Sequence, residues 1–121
     1  AFSIQVKSPS QILVDKLCSL AGGMHRGYIR WRDIFDVYWL KTKYDAKIDI
    51  EYFEQEFGSW IESIEDLKKL YGELVEILRK EAYEGIVEEL KKVLREDLLR
   101  KPLIRRYLEV TIRLIEEVTS I

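Results

Sequence analysis

Two charged residues occupy positions where the helical pattern calls for apolar side chains. Successive residues of an α-helix turn by about 100°, so residues four apart stack on one face. Lys16 stacks between Ile12 and Leu20, and Asp33 has apolar neighbours four residues away on each side. A buried charge without a partner costs several kcal/mol. Each of these two residues therefore requires a partner or a ligand.

Lys16 and Asp33 are predicted to face each other or a shared cleft, because two helices joined by a short loop pack antiparallel. One interpretation is a structural ion pair that fixes the helical hairpin. The other is a cleft in which Lys16 meets phosphate groups and Asp33 acts as a base or as an orienting carboxylate. Asp36, one turn along from Arg32, lies beside Asp33 in either case. Helical periodicity alone leaves both interpretations open.

Local signals indicate the elements that must position these charges. Residues 2–6 alternate apolar and polar side chains, as a short half-buried strand does, and we expect this strand to pair with a sheet upstream. Ser8, Pro9 and Gln11 form a helix start with a capping box. Gly22 and Gly23 are predicted to stop this first helix, leaving residues 24–28 as a loop.

The second helix is predicted over about residues 29–43 and is apolar almost all round, which is typical of a helix buried on several sides. We therefore expect Trp31, Tyr38 and Trp39 to lie in the core and not to form a platform for stacked bases. His25 is expected to be exposed in the preceding loop. Cys18 is on the side of the first helix away from Lys16, and nothing around it indicates a reactive thiol.

The rest of the sequence predicts further helices. A short one covers about residues 49–57, and a charge-rich helical stretch follows from Ile64, with a break or bend near residues 82–85 because Gly85 weakens the helix. Pro102 starts a last helix. The predicted fold is mainly α: a single helical bundle over residues 1–121, with a strand remnant at 1–7, a motif-bearing hairpin at 8–43 and C-terminal helices at 49–121.

Composition excludes several classes of protein. The 121 residues are 47% hydrophobic and 35% charged with a net charge of −2, which argues against a wholly basic nucleic-acid-binding surface. The single Cys18, the lack of a Cys/His cluster and the lack of a long apolar run predict a cytoplasmic protein without a zinc site or a membrane span. A local basic group remains, which either faces phosphates or forms a solvated rim that pairs with Asp33 and Asp36: Arg26, Arg30, Arg32, Lys41 and Lys43.

The order of these motifs resembles a known family. The helix start Ser8-Pro9-Ser10-Gln11 is followed by Lys16 and then by an R-D-x-x-D motif with an aromatic tail, which runs from Arg32 through Asp33 and Asp36 to Leu40. Over about residues 4–43 the chain is similar to the C-terminal motifs of the AbiEii/AbiGii nucleotidyltransferase toxins of type IV toxin–antitoxin systems. The resemblance implies that this chain is the C-terminal portion of an α+β protein.

The resemblance also implies roles. In this family a nucleotide is transferred from an NTP to an acceptor, tRNA in some members. Carried over, Lys16 contacts the triphosphate and Asp33 is the second catalytic residue, with Arg32 and Asp36 as supporting or alternative members. Arg26 and Arg30 are candidates for contacts to phosphate or RNA. The implied partners are an upstream nucleotidyltransferase half, an NTP, an acceptor such as tRNA and a cognate antitoxin.

The sequence departs from the family pattern at the metal site. Nucleotidyl transfer needs Mg²⁺ held by carboxylates beside the phosphates, and the nearest lookalike, Gly58-Ser59 followed by Asp66, comes after a charged helical segment and not after a buried strand. We therefore predict no metal site or cofactor in this chain, which we expect to be one part of a longer protein and inactive alone. The alternatives are a stand-alone helical interaction domain, with apolar surface around residues 86–94 and 104–115, and an inactive gene remnant.

Overall fold

The computed structural model describes residues 6–57, 63–80 and 83–120. Six α-helices and one short 3₁₀ turn, at Glu96–Leu98, form these parts of the chain, which confirms the mainly helical fold. In chain order the helices are α1 (Pro9–His25), α2 (Trp31–Tyr44), α3 (Ile50–Phe57), α4 (Ile64–Lys80), α5 (Tyr83–Leu90) and α6 (Lys101–Thr119).

The start of α1 is the predicted capping box. The Ser8 hydroxyl accepts a hydrogen bond from the Gln11 backbone N–H at 3.2 Å, and the Gln11 side chain accepts one from the Ser8 N–H at 3.0 Å. Pro9 follows as the first helical residue, where its missing N–H costs nothing. These contacts are local, which is why the sequence alone could predict them.

The end of α1 was predicted wrongly. The helix does not stop at Gly22 and Gly23 but continues to His25, so His25 is the last helical residue, exposed, and not a loop residue. Both glycines are buried, and the Tyr28 N–H donates to the Gly23 carbonyl at 2.9 Å. Tertiary packing thus offsets the roughly 1 kcal/mol that glycine costs inside a helix. The turn comes at Gly27, whose φ of 90° suits glycine.

Helix α2 lies between α1 and α6. Ile34, Val37 and Leu40 are buried between them, and the Thr111 hydroxyl of α6 donates to the Ile34 carbonyl at 3.4 Å. Trp31 and Tyr38 are half-buried against the core, as predicted, but the prediction for Trp39 was wrong. Its side chain is 44% exposed because only part of α2 is covered by α1 and α6.

The remaining helices close the core around α1. Tyr71 of α4 is fully buried, and its hydroxyl donates to the Leu17 carbonyl of α1 at 2.7 Å. Helix α4 ends at Lys80 and α5 begins at Tyr83, so Gly85 lies inside α5, and the break or bend predicted near residues 82–85 falls partly outside the described residues. Helix α6 begins with Lys101 and Pro102, as predicted.

The predicted N-terminal strand at residues 2–6 falls outside the described residues except for Val6, which is irregular and exposed. No strand occurs in the described parts of the chain. The Gly58-Ser59 pair also lies outside them. Within the same limits, no helix is long and apolar enough to cross a membrane.

Candidate functional site

Asp33 is the centre of a charged cluster between α1 and α2. It lies in the first turn of α2, and only 1% of its side chain is exposed. The Lys16 ammonium lies 3.3 Å from its Oδ1, and the Arg30 Nε–H donates to its Oδ2 at 2.7 Å. The carboxylate therefore has a cation on each oxygen, which compensates for the cost of its burial.

Asp36 extends the cluster by one helical turn. Its Oδ2 lies 3.1 Å from the Lys16 Nζ, and its Oδ1 accepts a hydrogen bond from the Arg32 Nε–H at 3.3 Å. Arg32 also donates from Nη1 to the Val93 carbonyl at 3.3 Å, just after α5. Arg32 thus connects α2 to the turn that follows α5.

The carboxylates of the cluster keep Lys16 and Arg30 in their charged forms. Partial burial acts to lower the pKa of Lys16, but the hydrogen bond to Asp36 and the charges of Asp33 and Asp36 outweigh it, so the pKa lies above its usual value. The pKa of Arg30 is raised by its hydrogen bond to Asp33, then by the Tyr28 side chain. Two fixed cations therefore lie on either side of one buried carboxylate.

This geometry limits the chemistry that each group can perform. A general base needs an accessible oxygen within reach of the proton that it removes, whereas Asp33 is buried and both its oxygens are engaged. Lys16 keeps 31% of its side chain exposed and has three N–H donors, of which two point to carboxylates. Arg30 keeps 42% exposed. The arrangement suits the binding of an anion by Lys16 and Arg30, with Asp33 holding both in position.

The structure divides the basic group that the sequence singled out. Arg30 and Arg32 join the cluster, but Lys41 and Lys43 lie in the last turn of α2, where Lys41 donates to the Ala46 carbonyl and Lys43 lies over the Trp39 ring. Arg26 is exposed just after α1. It donates from Nε to the Gly22 carbonyl at 3.2 Å, and its guanidinium lies 5.6 Å from the centre of the Tyr28 ring.

Sequence reasoning missed a second polar contact on α1. Asp15, the neighbour of Lys16, accepts a hydrogen bond from the Tyr52 hydroxyl of α3 at 2.8 Å and pairs with Lys7 at 2.7 Å. Tyr52 is 37 residues from Asp15 in the chain. No local signal could have indicated this contact, which fastens α3 to α1.

The described residues do not fit a magnesium site. They contain no group of three or more His, Cys, Asp or Glu side chains that could hold a metal ion. The two carboxylates of the cluster, Asp33 and Asp36, are each paired with two cationic side chains. A divalent cation placed there would have to displace Lys16, Arg30 or Arg32.

Comparison with known proteins adds one finding. The family model described as nucleotidyl transferase AbiEii toxin, type IV toxin–antitoxin system, matches residues 1–116, which is nearly the whole chain. Comparisons with curated proteins and with solved structures gave no match.

Proposed function

This chain belongs to the AbiEii family of nucleotidyl transferase toxins, and we propose that its α1–α2 hairpin holds the triphosphate of an NTP during nucleotidyl transfer. The family description, a type IV toxin–antitoxin system, implies a cognate antitoxin. The acceptor is a nucleic acid such as tRNA. A cytoplasmic location fits this substrate and the free thiol of Cys18.

The observation that carries this proposal is the pair of fixed, half-exposed cations on Asp33. Lys16 and Arg30 each keep part of their surface open while the buried carboxylate holds them. Cations that are already ordered lose little conformational entropy when a phosphate binds. They also stabilise the negative charge that develops on a transferring phosphoryl group. A solvated cation without this support would lack the first advantage.

The roles within the site follow from the contacts. Lys16 and Arg30 contact the phosphates, and Asp33 acts as a positioning residue and not as the base. Asp36, in the second turn of α2, contacts Lys16, and Arg32 in the first turn holds Asp36. Arg26, exposed beside Tyr28, is proposed to contact phosphate or RNA at the rim.

The metal-binding carboxylates of the complete enzyme are proposed to come from an upstream nucleotidyltransferase half. A bound Mg²⁺ supplies charge neutralisation on the phosphates, and the described residues do not provide its ligands. This chain alone is therefore expected to bind polyphosphate without transferring a nucleotide.

Transfer of a labelled nucleotide to tRNA by the complete protein tests this function. Lys16→Ala and Arg30→Ala should each lower kcat/KM at least about tenfold, the effect of losing roughly 1.4 kcal/mol of transition-state stabilisation. Lys68→Ala, at an exposed position on α4, is the matched control and should leave the rate unchanged. Wild-type activity of the Lys16→Ala variant would exclude the proposed role.

The alternative is a stand-alone interaction domain, which needs apolar surface at residues 86–94 and 104–115. Ile86, Leu90, Ile104 and Ile115 are instead buried in the core. In these two ranges Val93 is exposed, and Leu108, Val110 and Ile112 are half-buried against the core. An open cavity of about 650 Å³ is lined by three apolar and three charged residues: Val87, Leu94, Leu99, Lys91, Glu96 and Arg100. The burial of most apolar side chains in these ranges argues against a stand-alone interaction domain.

A further inference from the structure

We infer that Gly23 is a positioning residue for Arg30, and through it for the phosphate site, an inference that rests on the proposed function. The feature behind it is the close approach of the loop after α1 to the last turns of that helix. A Cβ atom on Gly23 would lie 3.0 Å from the Tyr28 carbonyl oxygen and 3.1 Å from the Arg30 Cγ. Both distances are shorter than ordinary van der Waals contact between such atoms.

The two neighbours of Gly23 are not free to move away. The Tyr28 oxygen is backbone, and the Tyr28 N–H is tied to the Gly23 carbonyl at 2.9 Å. The Arg30 stem lies between α1 and the buried Asp33, to which its Nε–H donates at 2.7 Å. A methyl group at position 23 would therefore shift the Arg30 stem or the loop backbone by a few tenths of an ångström, which disturbs the geometry of the bond to Asp33.

This role differs from the roles of Gly27 and Gly72. Gly27 adopts a φ of 90°, which the turn requires whatever its neighbours are. Gly72, inside α4, has no neighbouring atom within 4 Å of an added Cβ, so alanine fits there without cost. Of these three glycines, Gly23 alone has a helical backbone and neighbours too close for a methyl group. One of those two neighbours, Arg30, belongs to the charged cluster.

A shift of Arg30 matters because only some of its guanidinium N–H groups are bonded within the protein. Nε–H is used by Asp33, and the Tyr28 side chain provides a further contact, which leaves other N–H donors of the fork for phosphate oxygens. The direction of those donors depends on the Nε–H bond to Asp33. Loss of that bond turns a fixed cation into a mobile one, with a corresponding entropic cost of binding.

The experiment uses the complete chain and two readouts: the affinity for tripolyphosphate by calorimetry, and the exchange rate of the Arg30 Nε–H with solvent by NMR. All variants are made in the Gly72→Ala background, because the higher helix propensity of alanine in α4 keeps them folded. Gly23→Ala is compared with this background, with Arg30→Ala and with the Gly23→Ala/Arg30→Ala double variant.

We expect Gly23→Ala to weaken tripolyphosphate binding about 5-fold to 10-fold, the net value of one ordinary hydrogen bond, and to speed exchange of the Arg30 Nε–H. In the double variant Gly23→Ala should cause no further loss, because the residue acts through Arg30. Unchanged Nε–H exchange in Gly23→Ala, or additive losses in the double variant, would overturn the inference. If Gly23→Ala speeds the exchange but the background protein binds no tripolyphosphate, Gly23 positions Arg30 and the proposed function fails.

Discussion

Lys16 and Asp33 are 17 residues apart in the chain, and their side chains meet at 3.3 Å between α1 and α2. Asp33 is almost fully buried, whereas Lys16 reaches solvent. The pair is therefore asymmetric: the carboxylate depends on the cation for its burial, but the cation could be solvated without the carboxylate. This asymmetry determines how the site should respond to substitution and to pH.

Replacement of Asp33 by asparagine should destabilise the fold. The variant loses the buried negative charge and replaces one of the two acceptor oxygens with an NH2 group that faces a cation. We expect a decrease of about 1–3 kcal/mol in the free energy of unfolding, below the range for fully buried pairs because Lys16 and Arg30 are partly exposed. Urea denaturation measures it. Asp45→Asn, at an 81% exposed carboxylate with its lysine partner 4.0 Å away, is the control and should change stability by less than about 0.5 kcal/mol.

The contribution of Lys16 to stability should disappear at high pH. Burial opposes protonation, but Asp36 and Asp33 raise the pKa of Lys16 in the folded state above its usual 10.5. The stabilisation is therefore complete below pH 10.5 and is lost as the pH rises through the folded pKa. The difference in unfolding free energy between wild type and Lys16→Met, measured from pH 7 to pH 11.5, should be constant and then fall. A difference that grows with pH would contradict this assignment.

The thiol of Cys18 should be unreactive in the folded protein. Burial, helped by the charges of Glu56 and Asp15, raises its pKa to about 12, so little thiolate exists at pH 8. Reaction with a thiol-specific disulfide reagent should be at least about 100-fold slower than in urea-unfolded protein, since it requires opening of the core. Equal rates in the two states would show that the core around Cys18 is open in solution.

Removal of the Tyr71 hydroxyl should weaken the packing of α4 on α1. Tyr71 is fully buried and donates to the Leu17 carbonyl at 2.7 Å. Tyr71→Phe should therefore lower the free energy of unfolding by about 1 kcal/mol, the net value of one hydrogen bond. Tyr44→Phe, at a 55% exposed position, is the matched control, and thermal unfolding of both variants provides the comparison.

The amino-acid sequence by itself determined the features whose causes are local. The Ser8 capping box, the start of α6 at Pro102 and the helical phase that places Lys16 and Asp33 among apolar neighbours depend on residues within a turn or two of each other. The order of the motifs that resembles the family can also be read directly from the sequence. These features predicted a helical protein and the two charges at its centre.

Only the tertiary structure decided the features that depend on residues distant in the chain. Helix α1 passes through Gly22 and Gly23 because the loop after it packs against them, and Trp39 is exposed because α1 and α6 cover only part of α2. The sequence likewise left open which basic residue provides the second cation on Asp33, because Arg30 precedes α2 and its direction depends on the close approach at Gly23. Propensity describes a segment in isolation, whereas burial and side-chain direction depend on which segments pack together.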